Sequence, residues 1–152
     1  MNTIPTTSDA ITGICRLIAV PLPAVQFVSR NEDGTGRIYL HSDSQVINIP
    51  VINQQTFHFT ETSSTEEGGK VYNQNVKGVI QQESAKNRAL IKTLEDGKWV
   101  VIFQQCDDKV RCVGSSDFPL SFHVERDSNK PYVAFEFVGI SIYESLIVDE
   151  MW

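Results

Sequence analysis

Sulfur is scarce in this chain of 152 residues, which has three cysteines and two methionines. Cys15, Cys106 and Cys112 are an odd number and too few for a disulfide scaffold, which fits a reducing compartment. Histidine is equally scarce, with three residues. His41, His58 and His123 form no HxH or HExxH pattern that would mark a metal site. Positive charge is the minority sign: 13 Lys and Arg stand against 19 Asp and Glu, a net charge of −6. A sequence-independent nucleic-acid binder neutralises phosphates with a basic surface, so that class is disfavoured. A surface along which DNA slides without sticking remains compatible with the balance. Long apolar runs are also missing. The start, "MNTIPTTSDAITGICRLIAVPLPAV", has no basic n-region, and Arg16, Pro21 and Pro23 interrupt its apolar stretch. It reads as neither a signal peptide nor a membrane span, and implies a protein made and at first kept in the cytosol. No Asn-x-Ser/Thr acceptor occurs.

What the chain does contain is an ordinary globular mixture. Hydrophobic residues are 41% and charged residues 21%, enough to bury a core within one domain spanning residues 1–152. Residues 1–9 are polar and read as a flexible N-terminal arm. Ile11 to Val20 is a β-rich apolar segment ending at Pro-Leu-Pro. "QFVSRNEDGTGRIYL" reads as two strands joined at Asn31-Glu32-Asp33-Gly34, which is strong turn chemistry. "QVINIPVI" places Ile47, Ile49 and Val51 on one face, with Pro50 marking an edge or a bulge. "TFHFTE" alternates as well. Glu61 to Lys70, "ETSSTEEGGK", has almost no apolar residue and reads as a polar extended loop.

The one expected helix is short and lies near 84–95, in "SAKNRALIKTLEDG". Ser84 caps it, Ala85, Ala89, Leu90 and Leu94 recur at helical spacing, and Gly97 follows its end. Strands are expected at Lys98–Cys106, Val110–Gly114, Leu120–Arg126, Tyr132–Gly139 and Ile142–Val148. Leu120, Phe122 and Val124 alternate with Ser121, His123 and Glu125, and Val133, Phe135 and Phe137 repeat the pattern. Short alternating strands with one helix indicate a mainly β fold, an antiparallel β-sandwich or barrel with a helix on one side.

No residue set makes a catalytic, cofactor or metal site. A hairpin turning on Asp107-Asp108 would set Cys106 opposite Lys109 and Cys112 opposite Phe103. The two sulfurs then lie on opposite faces and can neither bond nor share a metal ion, so both read as packing or surface thiols. His58 lies between Phe57 and Phe59 and His123 between Phe122 and Val124, so each points away from its strand's buried face. "TEEGGK" fails as a phosphate loop, because Ser64 stands where the first Gly is needed and Val71 where Ser or Thr is needed. Glu66-Glu67, Asp107-Asp108 and Asp149-Glu150 are sequence neighbours whose side chains diverge in extended chain, unlike the facing carboxyls of glycoside hydrolysis. No Gly-x-Ser-x-Gly elbow occurs. Trp99, Phe103, Phe118, Phe122, Phe135 and Phe137 sit in the strongest strands, where packing is their role. A sugar-binding face would need exposed aromatics, and Tyr39, Tyr72, Tyr132, Tyr143 and Trp152 could supply it.

From Ser84 onward the order of elements is a helix, the strand "WVVIFQQ", the turn "CDDK", the strand "VRCVG", then "SSDFPLSFHVER" and "YVAFEFVG". This resembles the small β-rich ring and tail-tube-type virion proteins of tailed phages, particularly Bacteroides-infecting and crAss-like phages. The matching positions are Val113-Gly114, Pro119-Leu120, Phe122 and Phe135 to Gly139, all fold-building residues in the C-terminal half. The turn here is Asp-Asp where that pattern has glycine, and the N-terminal half has no counterpart. The resemblance implies a structural, non-enzymatic virion protein of the neck or tail, made in the bacterial cytoplasm. Copies would form a ring by head-to-tail contacts, beside portal, neck or tail proteins and away from membranes. DNA would pass its channel without specific binding, which an acidic surface suits. The 61–70 segment and the N-terminal arm would then contact adjacent rings. The alternative is a β-sandwich binding module for carbohydrate or a surface protein partner.

Overall fold

The structure, a computed structural model, describes residues 13–42, 45–51, 56–81 and 84–148. Within them the order is β1 (Ile14–Pro21), a 3-10 turn (Leu22–Ala24), β2 (Val25–Arg30), β3 (Thr35–Leu40), β4 (Ile47–Ile49), β5 (His58–Glu66) and β6 (Gly69–Ile80). Helix α1 (Ala85–Glu95) follows, then β7 (Lys98–Gln105), β8 (Val110–Val113), β9 (Leu120–Arg126), β10 (Val133–Ser141) and β11 (Leu146–Val148). The fold is mainly β with a single α-helix among the described residues, as the alternation predicts. The strands run β2-β3-β11-β8-β7-β9-β10-β6-β5, with β1 on β7 and β4 on β1. One pairing, β11 with β3, is parallel, so the sheet is mixed where an antiparallel one was expected.

The β1–β7 ribbon explains the architecture. Residues 99 to 103, Trp-Val-Val-Ile-Phe, are all buried, and a continuous apolar run of this kind belongs to a strand covered on both faces. Trp99, Val101 and Phe103 join Leu17 and Ala19 in a core shared with β6, β9, β10 and α1. Val100 and Ile102 join Ile18 and Val20 in a second core under β2, β3, β8 and β11. In the first core Phe122 and Phe137 meet edge to face at 5.0 Å, and Phe57 meets Phe135 at 5.6 Å. Gly78 lies beneath this cluster: a Cβ there would stand 2.6 Å from the Phe57 ring and 2.8 Å from that of Phe135.

Helix α1 starts as predicted, with the Ser84 hydroxyl accepting from the Asn87 N–H at 3.2 Å. Its buried residues are Ile91 and Leu94 with Leu90 half-buried, whereas Ala85 and Ala89 face out. The apolar stripe is therefore narrower and turned from the expected one. At its far end the buried Trp99 indole N–H donates to the Leu94 carbonyl at 2.8 Å, which the Gly97 N–H also reaches at 3.5 Å.

Three further expectations change. The polar 61–70 segment is a β-hairpin rather than a loop: residues 61–66 continue β5, residues 69–70 open β6, and the turn is Glu67-Gly68. It looked like a loop because most of its residues are exposed, leaving no apolar alternation to mark the strands. The β7–β8 connection is a three-residue loop, Cys106-Asp107-Asp108, with Asp108 in the left-handed region at φ 72°. Ile102 therefore faces Cys112, and Phe103 faces Arg111, a register one residue away from the two-residue turn, which flips the faces. The last strand is Leu146–Val148 rather than Ile142–Val148, because residues 142–145 leave the ladder to form a loop. The N-terminal arm, Asp149-Glu150 and Trp152 lie outside the described residues.

Candidate functional site

Cys106 is not a free thiol. Its sulfur bonds Cys15, with a Cα–Cα distance of 5.2 Å across a sequence separation of 91. The pairing follows from the three-residue loop, which lifts Cys106 off β7 and lets its N–H donate to the Gly13 carbonyl at 3.3 Å. Strand β1 meets β7 at the same point through a register shift between Ile14 and Arg16 that turns Cys15 outward. Cys112 is the packing thiol expected, fully buried beside Ile102, and burial pushes its pKa up to about 12 against the weaker pull of the Arg30 charge. The odd count had hidden a pair plus one.

Side chains bridge a gap that the sheet leaves between β5 and the β8–β11 region. The Glu61 carboxylate, from β5, accepts from the Ser145 backbone N–H at 2.7 Å and hydroxyl at 3.3 Å, and from Gln74 Nε2 at 2.8 Å. Arg111, from β8, donates to the Ser145 hydroxyl at 3.1 Å and to Gln105 Oε1 at 2.9 Å. Glu61, Gln105 and Arg111, with His58, border a 370 Å³ cleft. A carboxylate fixed by three donors and a guanidinium tied to two acceptors make a mechanical lock between the two sheet halves. The polar 61–70 composition hid this role for Glu61.

The second candidate is aromatic. Strict alternation would send Phe27 to the same face as the buried Val25. A bulge at Gln26, seen as a register shift between Val25 and Phe27, turns Phe27 outward opposite Tyr39 instead. The two rings stack at 4.3 Å, yet Phe27 is 51% and Tyr39 37% exposed. Tyr143, in the loop before β11, is 44% exposed and held from several sides. Its N–H donates to Ser141 Oγ at 2.9 Å, its carbonyl accepts from Gln74 Nε2 at 3.2 Å, and the Arg30 guanidinium lies 4.6 Å from its ring centroid. Phe118 packs edge-on at 6.1 Å. Phe27, Arg30, Tyr143 and the Ser115–Asp117 stretch line a groove of 310 Å³. The sequence singled out Tyr39 and Tyr143 as surface aromatics and Phe118 as a strand-packing residue, but Phe118 lies half-buried in the turn before β9, and the bulge that exposes Phe27 leaves no residue signature.

The remaining sequence candidates stay apart. His41, His58 and His123 are exposed on separate elements. Tyr72 and Tyr132 are half-buried away from the groove. Glu66-Glu67 sits at the hairpin tip, and Asp107 turns back to accept from the Lys109 N–H at 3.1 Å. Among the described residues no group of three His, Cys, Asp or Glu side chains could hold a metal ion. No helix there is long and apolar enough to cross a membrane. Comparison with models of known protein families, with curated proteins and with solved structures finds no match.

Proposed function

We propose that this chain is a structural assembly protein whose copies associate into a closed ring or tube, at the neck or tail of a tailed phage. The observation that carries this reading is the edge strand β5. Among the described residues it pairs only with β6, over nine consecutive residue pairs without a register shift. Soluble proteins blunt such edges with charges, Lys above all, with Pro or with bulges; "HFTETSSTE" has no Lys, Pro or bulge, and its charges are Glu61, turned onto Ser145, and Glu66 at the hairpin tip. An edge with so few guards and an unshifted register is a template for a strand of another subunit. The hairpin that carries it continues three residues, Gly69 to Val71, beyond the last β10–β6 pair at Tyr72, roughly 10 Å of projecting arm. Ile140, 60% exposed, lies on the same sheet face two strands away, behind Asn73 and Thr62.

The acidic balance suits a ring through which DNA passes, because a basic lumen would retain the polyanion. The Cys15–Cys106 bond is consistent with a particle that leaves the host cytoplasm, where disulfides persist. Strand addition at β5 is tested by native mass spectrometry across a concentration series of the parent chain and of Ser64→Lys. The expected result is multi-subunit species that grow with concentration and shrink in the variant. A parent chain that stays monomeric over the whole series contradicts the reading.

A further inference from the structure

Tyr143 is 44% exposed, yet its ring is packed on two sides. The Arg30 guanidinium lies over its ring and Phe118 meets it edge-on, while Ser141 and Gln74 fix its backbone. The opposite wall of the groove is equally fixed. The Ser115 N–H donates to the Phe118 carbonyl at 3.1 Å, and the Phe118 N–H returns to the Ser115 carbonyl and hydroxyl at 3.2 Å. That doubly closed turn, entered through Gly114 at φ +91°, presents Ser116 and Asp117 to the groove.

We propose that this groove binds a neutral sugar ring, a pyranose of an oligosaccharide. The ring's C–H face would lie on Phe27 and Tyr143, and its hydroxyls would meet Arg30, Asp117 and Gln26. The chemistry matches on each count. Aromatic faces carry partial negative charge and attract the polarised C–H bonds of a sugar face. Planar guanidinium, carboxylate and amide groups can each pair with adjacent hydroxyls. A volume of 310 Å³ lies at the small end of ligand pockets and suits about one or two sugar rings.

An extended peptide fits less well, although β2 is an edge strand. The bulge at Gln26 interrupts the regular backbone spacing that strand addition needs, in contrast to the uninterrupted β5. The inference stands apart from ring assembly, since β2 and β5 occupy opposite ends of the strand order.

The test is an NMR titration of the 15N-labelled protein with trisaccharides of glucose, mannose, galactose and N-acetylglucosamine. At least one should shift the Phe27, Ser116, Asp117 and Tyr143 resonances saturably. Phe27→Ala and Tyr143→Ala, both at exposed positions, should each weaken that binding at least tenfold, about 1.4 kcal/mol. Tyr143→Phe, which keeps the ring, should weaken it less. Three outcomes overturn the proposal: no trisaccharide shifts these resonances, binding survives both alanine variants unchanged, or an extended Thr-Val peptide pairs along β2 in place of the sugars.

Discussion

Removing the Cys15–Cys106 bond should destabilise the fold more than any single surface change. The bond closes a loop with a sequence separation of 91. In the chain-entropy treatment, opening a loop of that length returns about 4.6 kcal/mol of freedom to the unfolded chain. The folded side loses little in compensation, because β1 stays registered on β7 from Arg16 to Pro21 without the bond. For 152 residues, a change of that size lowers Tm by roughly 14 °C. The assay compares urea unfolding of the oxidised chain with that of the Cys15→Ser/Cys106→Ser double variant, alongside thiol counting. The native chain should show no reactive thiol, the denatured unreduced chain one (Cys112), and the reduced denatured chain three. A stability difference below about 1 kcal/mol, far under the entropy expected for so long a loop, would show that the bond does not constrain the unfolded chain. Three reactive thiols in the unreduced denatured chain would show that it does not form.

Other perturbations address the cores and the lock. Gly78→Ala should cost about 1–3 kcal/mol, read by urea unfolding, because the new methyl drives into the Phe57 and Phe135 rings. Glu61→Ala strips three donors of their acceptor and leaves the buried Ser145 N–H unpaired, which should cost about 2–3 kcal/mol in the same assay. Cys112 makes stability fall at high pH. Its thiol stays protonated in the fold up to about pH 12, while in the unfolded chain it ionises near 9.0. Its effect is therefore absent below pH 9 and destabilising between 9 and 12. Between pH 8 and 10.5 the parent should lose roughly 2 kcal/mol more than Cys112→Val. Equal losses would contradict the burial of that thiol.

The sequence carried the strands whose two faces differ, and the reasons are visible residue by residue. Leu120–Arg126 alternates cleanly because one face covers the phenylalanine cluster and the other meets solvent. The turn at Asn31–Gly34 was legible from its residues alone, and its Asp33 carboxylate does accept from the Thr35 N–H at 3.0 Å. What was not legible came from shifts of one residue. The three-residue loop at Cys106–Asp108 and the bulge at Gln26 each reverse the face of everything that follows, and each hid a feature of interest, the disulfide in one case and the aromatic groove in the other. The β5–β6 hairpin was missed for a different reason. With solvent on both sides at its tip, a strand needs no apolar residue, and only its partner reveals it.

The claim that copies of this chain assemble is tested most directly by negative-stain imaging of the purified, oxidised protein at rising concentration. Ring assembly predicts closed rings or short stacked tubes of uniform diameter with an open centre, which Ser64→Lys reduces to single subunits. Fields of isolated monomers at every concentration would contradict it.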